Sequence, residues 1–127
     1  MHGDLVWIEL PGGLDCHVTG AFYARVFGWV VEDDGVTVRF HDPSGSLAGA
    51  FVEELPPSAA CGTILYLATE DAASSLASGV AAGAEAVRPR EALSGGRGYR
   101  ALLRDPAGTV VGVLEPWRAP EAAAAAT

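Results

Sequence analysis

The stretch Asp42-Pro-Ser-Gly-Ser-Leu-Ala-Gly-Ala-Phe-Val-Glu53 returns later in the chain as Asp105-Pro-Ala-Gly-Thr-Val-Val-Gly-Val-Leu-Glu115, with Asp42 matching Asp105 and Gly49 matching Gly112 at an offset of 63 residues. In a chain of 127 residues, a repeat about half the chain long means one duplicated unit rather than a solenoid. Asp-Pro-x-Gly is turn chemistry, because Pro presets φ and Gly supplies positive φ, and the apolar run behind it reads as a strand.

Working outward, the same order of elements precedes each copy. Leu5 to Leu10 alternates weakly and predicts a strand stopped by Pro11, Gly12 and Gly13. From Asp15 to Phe27, Val18, Phe22 and Val26 recur at helical spacing and Gly28 follows as a left-handed cap, so a helix of about three turns is expected. Trp29–Glu32, Val36–Phe40 and Leu47–Glu53 read as three short strands. After Pro56-Pro57 the order restarts with a strand over Thr63–Ala68, a helix over Asp71–Ala82 closed by Gly83, and strands over Ala84–Arg88, Tyr99–Arg104 and Thr109–Leu114. The pattern predicts one α+β domain over residues 1–119, built from two tandem βαβββ modules, 4–55 and 62–117. Residues 120–127 read as a flexible Ala-rich tail.

Hydrophobic residues make up 50% of the chain and charged residues 19%, the composition of a folding sequence rather than a disordered one. Eight Arg, no Lys and sixteen acids give a net charge of −8, which argues against nucleic acid and anionic membranes as partners. No apolar run reaches transmembrane length and no signal-peptide pattern opens the chain, so a cytoplasmic location is expected. Cys16 and Cys61 lack CxxC spacing and read as two reduced thiols.

Three segments carry a family resemblance: Trp7-Ile-Glu-Leu-Pro11, Phe22-Tyr-Ala-Arg-Val-Phe-Gly-Trp29, and Gly96-Arg-Gly-Tyr through Glu115. Together, over residues 5 to 117, they resemble the single-domain members of the glyoxalase/bleomycin resistance protein/extradiol dioxygenase, or vicinal oxygen chelate, superfamily. The resemblance implies a curved mixed sheet around a cleft, helices outside, and a homodimer. In the superfamily's metalloenzymes each module supplies metal ligands from its first and last strands, and the motif register places those positions at Trp7, Gly49, Ile64 and Gly112. None has a side-chain donor for a divalent cation, so no metal and no cofactor are expected.

With those positions facing the cleft, strand alternation adds Leu5, Glu9, Leu47, Phe51, Tyr66, Val110 and Leu114, and turns Val6, Ile8, Leu10, Ala50, Val52, Leu65, Leu67, Val111 and Val113 toward the helices. The cleft set, Trp7, Glu9, Leu47, Gly49, Phe51, Ile64, Tyr66, Gly112 and Leu114, is apolar and aromatic with one acid, and the glycines leave room. It suits an aromatic or hydrophobic small molecule, as in the superfamily's antibiotic-sequestering branch. The alternative is an enzyme of the same fold, a lyase, isomerase or dioxygenase, using Glu9 as acid or base or holding a metal through other residues. His17 reads as exposed and inert. Arg39 and His41 share a strand face that could touch a ligand, Tyr23 and Trp29 read as packing residues, and the loop from Arg90 to Tyr99 reads as a flap at the cleft edge.

Overall fold

The computed structural model describes residues 2, 5–53 and 63–117; the expectations for Pro56-Pro57, Cys61 and the tail lie outside them. The order is β1 (Ile8–Pro11), α1 (Cys16–Phe27), β2 (Val30–Asp33), β3 (Val38–His41), β4 (Ala48–Val52), β5 (Tyr66–Ala68), α2 (Ala72–Ala81), β6 (Glu85–Ala92), β7 (Tyr99–Arg104) and β8 (Val110–Glu115). The strands form two four-stranded mixed sheets, β1-β4-β3-β2 and β5-β8-β7-β6, each with its first and last strands parallel. This is the expected α+β duplication; the sheets are not closed into a barrel.

Both helices form where capping chemistry permits. Asp15 accepts the His17 N–H at 2.9 Å and Gly28, at φ 72°, ends α1. Asp71 accepts the Ser74 N–H at the start of α2, and Glu115 reaches across from β8 to take the Ala72 N–H at 2.9 Å. The helices cover one side of the sheets. Beneath them lies an aromatic stack: Tyr23 on Trp29 at 4.5 Å between ring centroids, Trp29 on Phe40 at 4.6 Å, and Phe40 against Phe51 at 4.9 Å. The same buried cluster contains Leu103 and Val111, so the modules share a core. One polar strut joins them: the buried Tyr23 hydroxyl donates to Asp105 Oδ2 at 2.8 Å, while Asp105 Oδ1 accepts the Ala107 and Thr109 N–H groups.

Several boundaries differ from expectation for local reasons. Strand β1 begins at Ile8 because only Ile8–Pro11 pair with β4, and this leaves Val6 77% exposed rather than in the core. Strand β3 begins at Val38 because Asp34 Oδ1 captures the Val36 and Thr37 N–H groups in a turn. Val18 of α1 is exposed; the helix buries instead the face carrying Cys16, Thr19, Gly20, Phe22 and Tyr23. The expected flap is mostly ladder: β6 runs on to Ala92, which pairs with Tyr99, and bulges on either side of Arg88 accommodate Pro89. Arg90 is locked down, its guanidinium 3.7 Å from the Tyr99 ring centre and bidentate on Glu115.

The main correction concerns β4. Strands β3 and β4 close at His41↔Ala48, whereas β7 and β8 close at Arg104↔Val110, so the first hairpin loop, Asp42 to Leu47, is one residue longer than the second, Asp105 to Thr109. Across these loops the Asp42 N–H bonds to Leu47 O, but the Asp105 N–H bonds to Thr109 O. A one-residue difference turns every later side chain to the opposite face. Gly49 and Phe51 therefore point toward the helices and Ala50 and Val52 away from them, the reverse of the expectation, while β8 keeps the expected alternation.

Candidate functional site

The helix-free face of the first sheet is built from β1, β3 and β4. Glu9 pairs with Ala50, which pairs in turn with Arg39, so these three side chains share a row, with Trp7 just before β1 on one side of it and Val52 of β4 on the other. Trp7 is 48% exposed, and with Glu9, Arg39, Ala50 and Val52 it lines an open hollow of about 570 Å³ that is rimmed by the β2–β3 turn and takes residues of both faces, since Cys16, His17, Val38 and Phe51 line it too. Glu9 makes no hydrogen bond or ion pair among the described residues. His17 and Asp33 also line this hollow, His17 Nδ1 meeting Asp33 Oδ2; Asp33 is held in turn by the Gly35 N–H. Cys16 sits in the wall with Sγ 3.5 Å from Phe51 O. Burial, and then the nearby Glu53 and Asp15, push its thiol up, which keeps it protonated and unreactive.

The expected site residues thus divide. Trp7 and Glu9 lie on the helix-free face, as do Tyr66, Gly112 and Leu114 of the second module. Phe51, only 5% exposed, belongs to the aromatic core beside Tyr23. Gly49 leaves no room for a ligand either: a β-carbon there would overlap the Ile8 carbonyl oxygen and lie 2.6 Å from Phe40 Cζ. Leu47 is in the hairpin loop, lining a second hollow of about 400 Å³ with Trp29, Leu65 and Tyr66. Ile64 precedes β5 and is half-buried. A third hollow, of about 470 Å³, takes residues of both faces, Ile8 and Glu9 from β1 and Val110 and Val111 from β8, and so lies at the seam between the sheets.

Gly112 also differs from expectation. The space above it is filled by the Tyr66 ring, whose Cδ1 would stand 2.5 Å from an added β-carbon. Arg100 holds that ring in place, donating from Nη1 to the Tyr66 hydroxyl at 3.0 Å and from Nε to Glu91 at 3.2 Å. Sequence reasoning missed Arg100. The alternation Arg100, Leu102, Arg104 opposite the core residues Ala101 and Leu103 was its signal, but placing it beside Tyr66 requires the pairing Tyr66↔Gly112↔Leu102.

Two βαβββ modules with helices on one side and an open, aromatic-bearing face on the other define the class of fold. A model of the glyoxalase-like domain matches residues 14–114, and the chain belongs to that family, within the vicinal oxygen chelate superfamily. No curated protein matches the sequence significantly. Among solved structures, an antibiotic binding protein, TnmS3 from Streptomyces sp. CB03234, is similar with a TM-score of 0.68 and 21% identity, over 90% of this chain and 96% of that one. A glyoxalase/bleomycin resistance protein/dioxygenase family enzyme from Burkholderia phytofirmans PsJN gives 0.74 at 17% identity, over 90% and 99%. A glyoxalase-related enzyme from Fulvimarina pelagi gives 0.71 at 22% identity, over 89% and 88%. At these identities the likeness is one of fold.

The superfamily's metalloenzymes carry a divalent cation where the first and last strands of each module meet. In the paired register those places hold Glu9 with Ala50 and Tyr66 with Gly112; in the motif register they hold Trp7, Gly49, Ile64 and Gly112. The paired register offers one carboxylate, Glu9, and the motif register none, against aromatic, aliphatic and glycine residues, and no three His, Cys, Asp or Glu residues gather into a metal-binding group among the described residues. A hard or borderline cation needs several oxygen, nitrogen or sulfur donors, so these residues do not fit one. No described helix is long and apolar enough to cross a membrane.

Proposed function

We propose that the helix-free face binds an aromatic or hydrophobic small molecule without a metal, sequestering it in the manner of an antibiotic-binding protein, and that two chains pair to wall the site. The observation that carries this reading is the absence of a donor set where the metal-dependent relatives need one, in a face that offers Trp7 and Tyr66 instead. Large exposed aromatics on a sheet face mark contact surfaces, and ring stacking adds about 0.5–1.5 kcal/mol beyond area burial. The fold likeness to an antibiotic binding protein agrees with it.

Titration with a panel of polycyclic and glycopeptide-like compounds, followed by tryptophan fluorescence, tests the reading. Saturable binding weakened by more than about 1 kcal/mol in Trp7→Ala is expected. If no compound shifts the melting temperature, or if the purified protein carries stoichiometric tightly bound metal, the reading fails. Sedimentation velocity checks the pairing. A second reading, a metal-free enzyme with Glu9 as acid or base, is favoured by the Glu9 carboxylate, which has no partner among the described residues and lines the hollow of about 570 Å³. It requires turnover that disappears in Glu9→Gln while the fold is kept.

A further inference from the structure

Among the described residues, the second module's half of the helix-free face carries one more positive charge than its ion pairs match. Arg100 donates to Glu91 Oε1 at 3.2 Å, and Arg88 reaches the same oxygen at 3.5 Å. Two guanidinium groups share one carboxylate, so this cluster has an excess of one positive charge in a chain whose net charge is −8. Their strand neighbours are matched singly, Arg104 with Glu85 and Arg90 with Glu115.

Donors are also left over. A guanidinium has five N–H groups in a planar fork. In Arg100, Nε serves Glu91 and Nη1 serves the Tyr66 hydroxyl, while Nη2 makes no hydrogen bond among the described residues. Having accepted from Arg100, the Tyr66 hydroxyl keeps its own proton to donate. The surroundings are apolar: Tyr66 lies over Gly112 beside Leu102, and Leu114 pairs with Arg100. A guanidinium with donors to spare and a phenol proton, with surplus positive charge beside an exposed aromatic ring, match a planar acid attached to an aromatic body, because carboxylates accept from a guanidinium fork bidentately.

We propose that Arg100 and Tyr66 form an acid-recognition subsite, Tyr66 stacking on the ligand's ring while its hydroxyl and Arg100 hold a carboxylate. This rests on the ligand-binding reading of the face given above, and it narrows the ligand class to aromatic carboxylic acids. Glu91 is a positioning residue, accepting from Arg100 Nε at 3.2 Å, while Arg88 reaches the same carboxylate oxygen at 3.5 Å.

The test is calorimetric titration of the full-length protein with β-naphthoate and β-naphthalenemethanol, which share a ring system and differ in charge. Wild type should bind the carboxylate about tenfold more tightly, equivalent to about 1.4 kcal/mol. Arg100→Met should bring the two within about twofold by weakening the carboxylate alone, and added salt should erode the preference. Tyr66→Phe keeps the ring over Gly112 and should cut the preference about threefold, which guards against a misfolded Arg100 variant. Equal binding of both probes by wild type, or a preference that survives Arg100→Met, overturns the subsite and leaves the hydrophobic-ligand reading standing. Binding of neither probe overturns both.

Discussion

Replacing Tyr23 with Phe removes a single oxygen from the strut between the modules. The Tyr23 ring is fully buried and stacked, so Phe keeps the packing and opens no cavity of consequence. What is lost is a 2.8 Å hydrogen bond to a carboxylate that has two backbone donors on its other oxygen. Hydrogen bonds to charged groups contribute about 1.5–3 kcal/mol, and leaving Asp105 Oδ2 buried without a donor puts the expected loss near 2 kcal/mol at neutral pH. For a domain of this size that is roughly 6–10 °C in melting temperature. The loss should depend on pH. Burial raises the Asp105 carboxyl above its ordinary 3.8, against the opposing pull of the Thr109, Tyr23 and Ala107 hydrogen bonds. A carboxyl raised in the fold takes up protons more readily folded than unfolded, so acidification through the window between the two values stabilises the native state. Without Tyr23's donor the folded value rises further. The deficit of Tyr23→Phe against wild type is therefore full above that window and narrows as pH falls through it. Urea unfolding of both proteins, followed by tryptophan fluorescence at pH 7 and in steps down to about pH 4, reads this difference directly. A deficit under about 0.5 kcal/mol at pH 7, or one that stays constant with pH, would refute the strut.

Gly49→Ala and Gly112→Ala should rank in a definite order by thermal unfolding. The first drives a methyl into the Ile8 backbone and costs more than about 3 kcal/mol, whereas the second displaces the half-exposed Tyr66 ring and costs about 1–2 kcal/mol. Deleting Ser46 should shorten the first hairpin loop to the length of the second and turn Phe51 out of the core, costing more than about 3 kcal/mol in urea unfolding. A loss under about 1 kcal/mol, the range of ordinary loop-length effects, would mean the loop does not set the facing of β4. Asp71→Ala should cost about 1 kcal/mol by removing the cap on the Ser74 N–H, with far-ultraviolet circular dichroism reporting earlier melting of α2.

The duplication, both helices and the Gly28 cap of α1 were legible because each depends on local chemistry: apolar periodicity running into a glycine, and Asp-Pro-x-Gly before a strand. The facing of β4 was not, because it depends on where the Asp42–Leu47 loop closes the β3–β4 pair, which residue types alone do not show. The two closing strands match with Gly49 opposite Gly112, and that match hides the extra residue between the loop closures Asp42–Leu47 and Asp105–Thr109. Both glycines are required, but for different reasons. Gly49 is glycine because the β1 backbone and the Phe40 ring crowd its core-facing side, and Gly112 because the Tyr66 ring packs against its helix-free side. A shared residue in two repeats records a shared need for space without saying on which face the space is needed. The same limit hid the site's polar half. Arg100 becomes a candidate only when β7 is paired with β8 and β8 with β5, which carries its guanidinium to a tyrosine 34 positions away in sequence. Residue type made the apolar part of this face readable, whereas the part that can select one acid over a neutral analogue follows from the strand register.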